Sequence, residues 1–166
     1  MVRQQCPKSL SKYGFCGILA LIYAAKLPMP SSIEKLEDIF KQIKGILSMG
    51  KGKWKSANPK NKGAITLPQT MKLLQHYNAC QFKLTCLETS ASPTLKQWIH
   101  SAEVRSSYIV HLGRHALFVE IGAVKSKWRV YDQGGVYTKQ NASFLEKKGG
   151  YGKKKIKAVI KIIYGK

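Results

Sequence analysis

YIVHLGRHALFVEIGAVKSKWRVYD, residues 108 to 132, reads as three short strands joined by two turns. Tyr108 to Leu112, His115 to Ile121 and Lys127 to Asp132 are rich in β-branched and aromatic side chains, which suit a pleated, half-buried surface. Gly113-Arg114 is a two-residue hairpin turn and Gly122 to Ser126 a longer one. Pairing the second and third strands about the 122 to 126 turn makes position 115 face 132 or 133, so His115 and Asp132 become neighbours across the ladder. His115 stands at a turn-to-strand junction, where an imidazole can face a cleft, whereas His111 lies mid-strand and reads as structural.

Upstream of these strands the pattern changes to helical. The run from Gly14 to Ala25 is apolar throughout and is stopped by Leu-Pro-Met-Pro at 27 to 30. Ser31 or Ser32 caps a second helix carrying Ile33, Leu36, Ile39, Phe40, Ile43, Ile46 and Leu47 at helical spacing, with Glu34, Glu37 and Asp38 in its first turns. Ser48 to Lys62 is a basic loop around Trp54. A third helix begins at Pro68 and ends near Asn78, a strand covers 81 to 87, and a short helix starts at Pro93. Beyond Asp132, Gly134-Gly135 breaks the strand, with Val136, Phe144 and Leu145 as anchors. Lys155 to Tyr164 then alternates lysine with Ile156, Ala158, Ile160 and Ile162, which predicts a last strand with one wet, basic face and a charged edge. The expected architecture is α+β, with N-terminal helices packed on an antiparallel sheet, in one domain over residues 1 to 166 ending in a basic strand or tail.

The first helix places chemistry beside that hairpin. Cys16 sits at its start, where unpaired amides and the helix dipole favour a thiolate and can stabilise an oxyanion. Gly14 and Gly17 flank it and leave room for a substrate backbone. A thiol, an imidazole and a carboxylate in the order Cys16, His115, Asp132 make a nucleophile, a base and an orienter. Cys6, before Pro7, is the rival nucleophile, and His76 and His100 are rival bases.

Three segments carry a resemblance. GFCGILALI around Cys16, GAITLPQTMKLL at 63 to 74, and HALFVEI followed by VYD resemble the papain-like cysteine peptidases, and look most like the double-glycine leader peptidases that process bacteriocins. Transglutaminase-like domains are similar in the histidine-strand-aspartate part. The resemblance spans residues 4 to 133 and implies peptide-bond hydrolysis with Cys16 as nucleophile, His115 as base and Asp132 as orienter. Family members place an oxyanion glutamine about six residues before the cysteine. Leu10 holds that place here, so Gln5 is the oxyanion candidate, which requires the 6 to 15 segment to fold back.

Charge directs attention to a second property. The net charge is +21, and residues 41 to 62 hold seven lysines and no acid while 147 to 166 hold eight lysines and no acid. Self-repulsion on this scale points to a polyanion, DNA or RNA, as partner, and lysine in excess of arginine suits phosphate contact better than base reading. The candidate contacts are Lys51, Lys53, Lys55, Lys60, Lys62, Lys153, Lys154 and Lys155. No cofactor is implied. His76, Cys80 and Cys86 fit no zinc spacing, and no metal site is expected. A hydrophobic content of 44% in 166 residues supports a real core. No run reaches the roughly 18 apolar residues of a membrane span, and no signal-peptide core opens the chain. An intracellular protein, or one packaged in a virion, is the expectation.

These readings combine into a thiol protease acting near nucleic acid, as a viral maturation or processing enzyme would. A non-enzymatic, basic virion or nucleic-acid-binding protein on the same scaffold is the alternative. An acyl or amide transferase, or a deubiquitinase-like hydrolase, would use the same three residues.

Overall fold

The computed structural model describes residues 3–11, 13–47, 65–77, 81–86, 92–112, 115–132, 135–139 and 154–164, with residues 81–86 described by their backbone. Among these residues the helices are α1 (Cys16–Ala25), α2 (Ile33–Ile46), α3 (Leu67–Tyr77) and α4 (Leu95–Ser101). The strands are β1 (Gln81–Cys86), β2 (Ser106–His111), β3 (Ala116–Ile121), β4 (Trp128–Asp132), β5 (Gly135–Thr138) and β6 (Ala158–Ile163). A short 3-10 turn, Lys8–Leu10, precedes α1. The arrangement is α+β, with a six-stranded sheet ordered β1-β6-β2-β3-β4-β5 and antiparallel at each described pairing.

The apolar run at 14 to 25 becomes the central helix. Every residue of α1 from Gly17 to Ala25 is buried, as expected for a helix that is hydrophobic all round. Lys26 ends it in the left-handed region at φ 55° and donates its amide back to the carbonyls of Ile22 and Tyr23. Ser32 caps α2 by accepting from the Lys35 amide at 3.3 Å. Thr94 and Gln97 form a reciprocal capping box at α4, which starts that helix just after Pro93.

Both faces of the sheet are covered. Ile109, Ala116, Phe118, Tyr131, Ile160 and Ile162 join the core built with α1, α2 and α3. Tyr108, Val110, Leu117, Val119, Ile121, Trp128, Val130 and Val159 form a second core with Leu95 and Ile99 of α4. This double burial is why the central strands read as continuous apolar runs rather than clean alternations. Emptying a site such as Phe118, which is fully buried against the Tyr23 ring 5.7 Å away, would cost about 3–5 kcal/mol.

Two expectations are corrected, those for the last strand and for Gly17. The last strand is neither an edge nor a basic face: β6 lies between β1 and β2, and its one lysine, Lys161, pairs with Glu103. Of its predicted opening at 155 to 157, Lys155 bridges to Thr94, while the Lys157 amide donates to His111 at the end of the β2–β6 ladder. The strand does break after Asp132, as expected, and a further strand follows. Gly135, at φ 144°, reverses the chain so that Gly135 pairs with Asp132 and β5 forms the sheet's edge, a conformation that glycine reaches without penalty. The room beside Gly17 is taken by the chain itself, since a Cβ there would stand 2.8 Å from the Ile65 side chain. It serves packing against the lead-in to α3 rather than a substrate backbone.

No described helix is long and apolar enough to cross a membrane.

Candidate active site

Three element ends meet at one end of the sheet. Phe15, fully buried, is the N-cap of α1 and sets half-buried Cys16 at the helix's first position. His115 directly precedes β3, where its carbonyl accepts from the Leu112 amide at 2.8 Å and closes the turn. Asp132 ends β4. The register differs from the expected one. Phe118 pairs with Tyr131, so Asp132 comes level with Leu117 rather than with His115. The two side chains therefore meet along a diagonal of the ladder, a separation that an imidazole spans.

The contact itself is direct. His115 Nε2 lies 3.0 Å from Asp132 Oδ1, with the aspartate side chain only 9% exposed. A carboxylate this dry is held by what it bonds. With Nε2 engaged, Nδ1 is the ring nitrogen left for the Cys16 thiol, which is hydrogen-bonded to the His115 side chain. The Ala116 amide also donates to the sulfur.

These contacts set the electrostatics. Burial pushes the Cys16 thiol up and Asp132 adds to that, but the hydrogen bond and charge of His115 and the Ala116 amide together outweigh both, leaving it below the ordinary thiol value. Burial pushes His115 down, while hydrogen bonds to Asp132 and Cys16, and the charges of both, lift it to about 9. The two shifts are the two sides of one ion pair: thiolate and imidazolium stabilise each other and titrate together.

The chain's first residues form a strap anchored toward the far end of α1, and its Cys6 comes within reach of the Asp132 charge. Arg3 donates through its guanidinium to the Tyr23 carbonyl at 3.0 Å and to the Tyr164 hydroxyl at 3.4 Å, and its Nε lies 3.1 Å from Glu120. Its side chain also stacks over the Phe118 ring at 5.0 Å. The Tyr23 hydroxyl donates to the Gln4 carbonyl at 2.9 Å and accepts from the Cys6 amide. One phenol thus brackets Gln5, which is exposed. Leu10, six residues before Cys16, is buried in the core. Cys6 is buried, and burial together with the charge of Asp132 pushes its thiol up to about 11. It stays protonated at neutral pH and does not rival Cys16.

The other sequence candidates separate from this cluster. His111 is held low by burial, and its Nε2 has no hydrogen-bond partner among the described residues. His76 packs edge-on against Tyr77, and His100 is exposed on α4. Lys154 and Lys155 are exposed, whereas Lys51, Lys53, Lys55, Lys60, Lys62 and Lys153 lie outside the described residues, as do Cys80 and the side chain of Cys86. A cavity of about 550 Å³, lined by Arg3, Gln4, Tyr23, Lys26, Met29 and Glu120 among others, sits at the opposite end of α1 from Cys16.

Sequence reasoning missed the strap's anchors. The available signal was Tyr23 itself, a polar tip in an otherwise apolar helix, which must find a partner once buried. Compared with known families, curated proteins and solved structures, the chain matches no family model, no curated protein and no solved structure.

Proposed function

We propose that this protein is a papain-like cysteine peptidase that hydrolyses peptide bonds and works close to a nucleic acid. The observation that supports it above all is the convergence of Cys16, His115 and Asp132 from three separate elements, with the thiol lowered and the imidazole raised. Perturbed groups of opposite sign, in direct hydrogen-bond contact, are what a nucleophile and its acid–base partner need.

In this reading the Cys16 thiolate attacks the scissile carbonyl carbon. The negative charge moves to the carbonyl oxygen, which faces the free amides of the first turn of α1. The His115 imidazolium, held through Nε2 by Asp132, gives its Nδ1 proton to the departing amine and leaves an acyl-enzyme thioester. The neutral imidazole then takes a proton from water, whose oxygen attacks the thioester. Collapse releases the acid and restores the thiolate–imidazolium pair. Gln5, on the strap beside Cys6, is the side-chain candidate for the oxyanion. The absence of a carboxylate in the first turn of α1 leaves the dipole there free to favour negative charge.

The net charge of +21 favours a further element of the same reading, a polyanion that concentrates the enzyme where it acts. A maturation protease packaged with a viral genome meets that description. So does the alternative reading, a basic nucleic-acid-binding protein that keeps the scaffold without turnover.

Labelling with iodoacetamide at neutral pH separates the two. Catalysis predicts selective modification of Cys16 that is lost in His115→Ala. Labelling of Cys16 no faster than that of an ordinary exposed thiol, and unchanged by His115→Ala, would sink the hydrolase reading.

A further inference from the structure

The antiparallel order of the sheet gives it two chemically different ends. His115 and Asp132 lie where β3 begins and β4 ends. The other end, where β3 ends, β4 begins and β5 ends, lies about 17 Å away along the strands at ~3.3 Å per residue. A pocket of about 340 Å³ opens there, lined by Gly122, Ser126, Lys127, Trp128, Arg129 and Thr138. No acid is among these lining residues. Ser126 and Thr138 offer hydroxyls, and Lys127 and Arg129 offer cations.

More cations surround it. Lys125 lies on the same turn, Lys139 follows β5, and Arg105 is tied to the spot by its amide, which donates to the Gly122 carbonyl at 2.9 Å. Lys125, Lys127, Lys139 and Arg105 are all exposed. Two described acids lie on neighbouring positions: Glu120, opposite Arg129 on the ladder and bonded to Arg3, and Glu103, paired with Lys161. Among the described residues, Lys125, Lys127, Lys139 and Arg105 outnumber those two acids, so this end carries an excess of positive charge.

We propose that this end of the sheet is a docking surface for the phosphodiester backbone of a nucleic acid, with one phosphate seated in the pocket among Lys127, Arg129, Ser126 and Thr138. It rests on the polyanion part of the reading above and not on peptide hydrolysis. Hydroxyls and cations around a cleft suit a phosphate oxygen cluster, and contacts to phosphate carry no sequence information, so binding through it is indifferent to sequence. The enzyme would ride on its nucleic acid by one end of the sheet while the thiol at the opposite end stays open to a polypeptide. None of these residues lies in the lysine-rich runs that dominate the sequence, because chain reversal and not composition gathers them.

The test measures binding of the full chain to a labelled 20-nucleotide oligomer across a salt series. The triple variant Lys125→Ala, Lys127→Ala, Lys139→Ala is expected to lose roughly tenfold or more in affinity and to flatten the slope of log K against log salt, by somewhat under one per phosphate contact removed. A control, Lys35→Ala, Lys41→Ala, Lys44→Ala on α2, removes the same charge and is expected to lose far less. Unchanged melting and unchanged Cys16 alkylation in both variants show that the fold persists. No binding by the parent protein overturns the polyanion reading itself. Binding that the two triple variants weaken equally overturns the location, since affinity then follows net charge. Heparin supplies the last arm: a sheet-end loss confined to the oligomer supports a phosphate seat, and an equal loss toward heparin overturns it in favour of a surface for any polyanion.

Discussion

Cys6 and Cys16 are both removed from bulk water and both feel Asp132, yet their thiols move in opposite directions. Cys6, on the strap, has burial and a nearby carboxylate to contend with and rises to about 11. Cys16, at the head of α1, faces the same two influences but also receives hydrogen bonds from His115 and the Ala116 amide, and falls. Proximity to Asp132 and burial do not favour a thiolate. Donors aimed at the sulfur do.

The comparison breaks most completely at the sulfur. Cys16→Ala is expected to abolish peptide hydrolysis and rapid alkylation, a loss of at least about a thousandfold, while Cys6→Ser leaves both nearly intact; equal losses in a peptidase assay would place the chemistry elsewhere. Removing the donor is the next largest effect. His115→Ala should cost about 10²–10⁴ in turnover and move the pH midpoint of Cys16 alkylation upward, toward the behaviour of Cys6.

Asp132 separates the two thiols in a subtler way, through pH. Hydrolysis needs thiolate and imidazolium together, so its rate should fall on the alkaline side near 9, where His115 loses its proton. In Asp132→Asn that limb should shift toward acid and turnover should drop by about one to two orders of magnitude. Stability follows the same sign. The folded His115 is raised above its usual 6.5 to about 9, so its contribution is full below 6.5 and is lost as pH rises through 9. Melting curves taken at pH 6 and pH 9.5 should show that loss in the parent and a smaller one in the variant.

The smallest effect concerns the strap. Tyr23→Phe keeps the ring against Phe118 and Tyr131 but releases Gln4 and Cys6, and should cost about 1 kcal/mol in urea unfolding. Cys6 should also alkylate faster, narrowing its difference from Cys16. An unchanged Cys6 rate would show that the strap is held by Arg3 alone.

Much of this was readable before any coordinates. The helix at Cys16, the capped helix after Ser32, the strands around His115 and the pairing of His115 with Asp132 follow from local pattern and short turns. The register was read too tightly because a turn of several residues fixes its ladder less firmly than a two-residue one. Lys155 to Tyr164 misled for a different reason. Alternating lysine looks like an edge, but where a strand inserts depends on partners distant in sequence, and Lys161 reaches solvent from a central strand, where it meets the exposed Glu103. At Gly135 the break was read and the strand beyond it was not: Gly135 opens β5, which pairs back on β4. The strap was invisible because Arg3 gathers partners from α1, β3 and the chain beyond β6, and no local window holds them together.

The place of β6 between β1 and β2 has a consequence for biosynthesis. During translation β1 emerges before the hairpins that carry His115 and Asp132, yet it has no described neighbour other than β6, and one flank of β2 stays open until residues 158–163 leave the ribosome. Such late, long-range closure is slow and leaves strand edges exposed in the meantime. In a chain assembled in this order the ladder that joins β1 to the rest of the sheet forms last, although β1 is the first strand made.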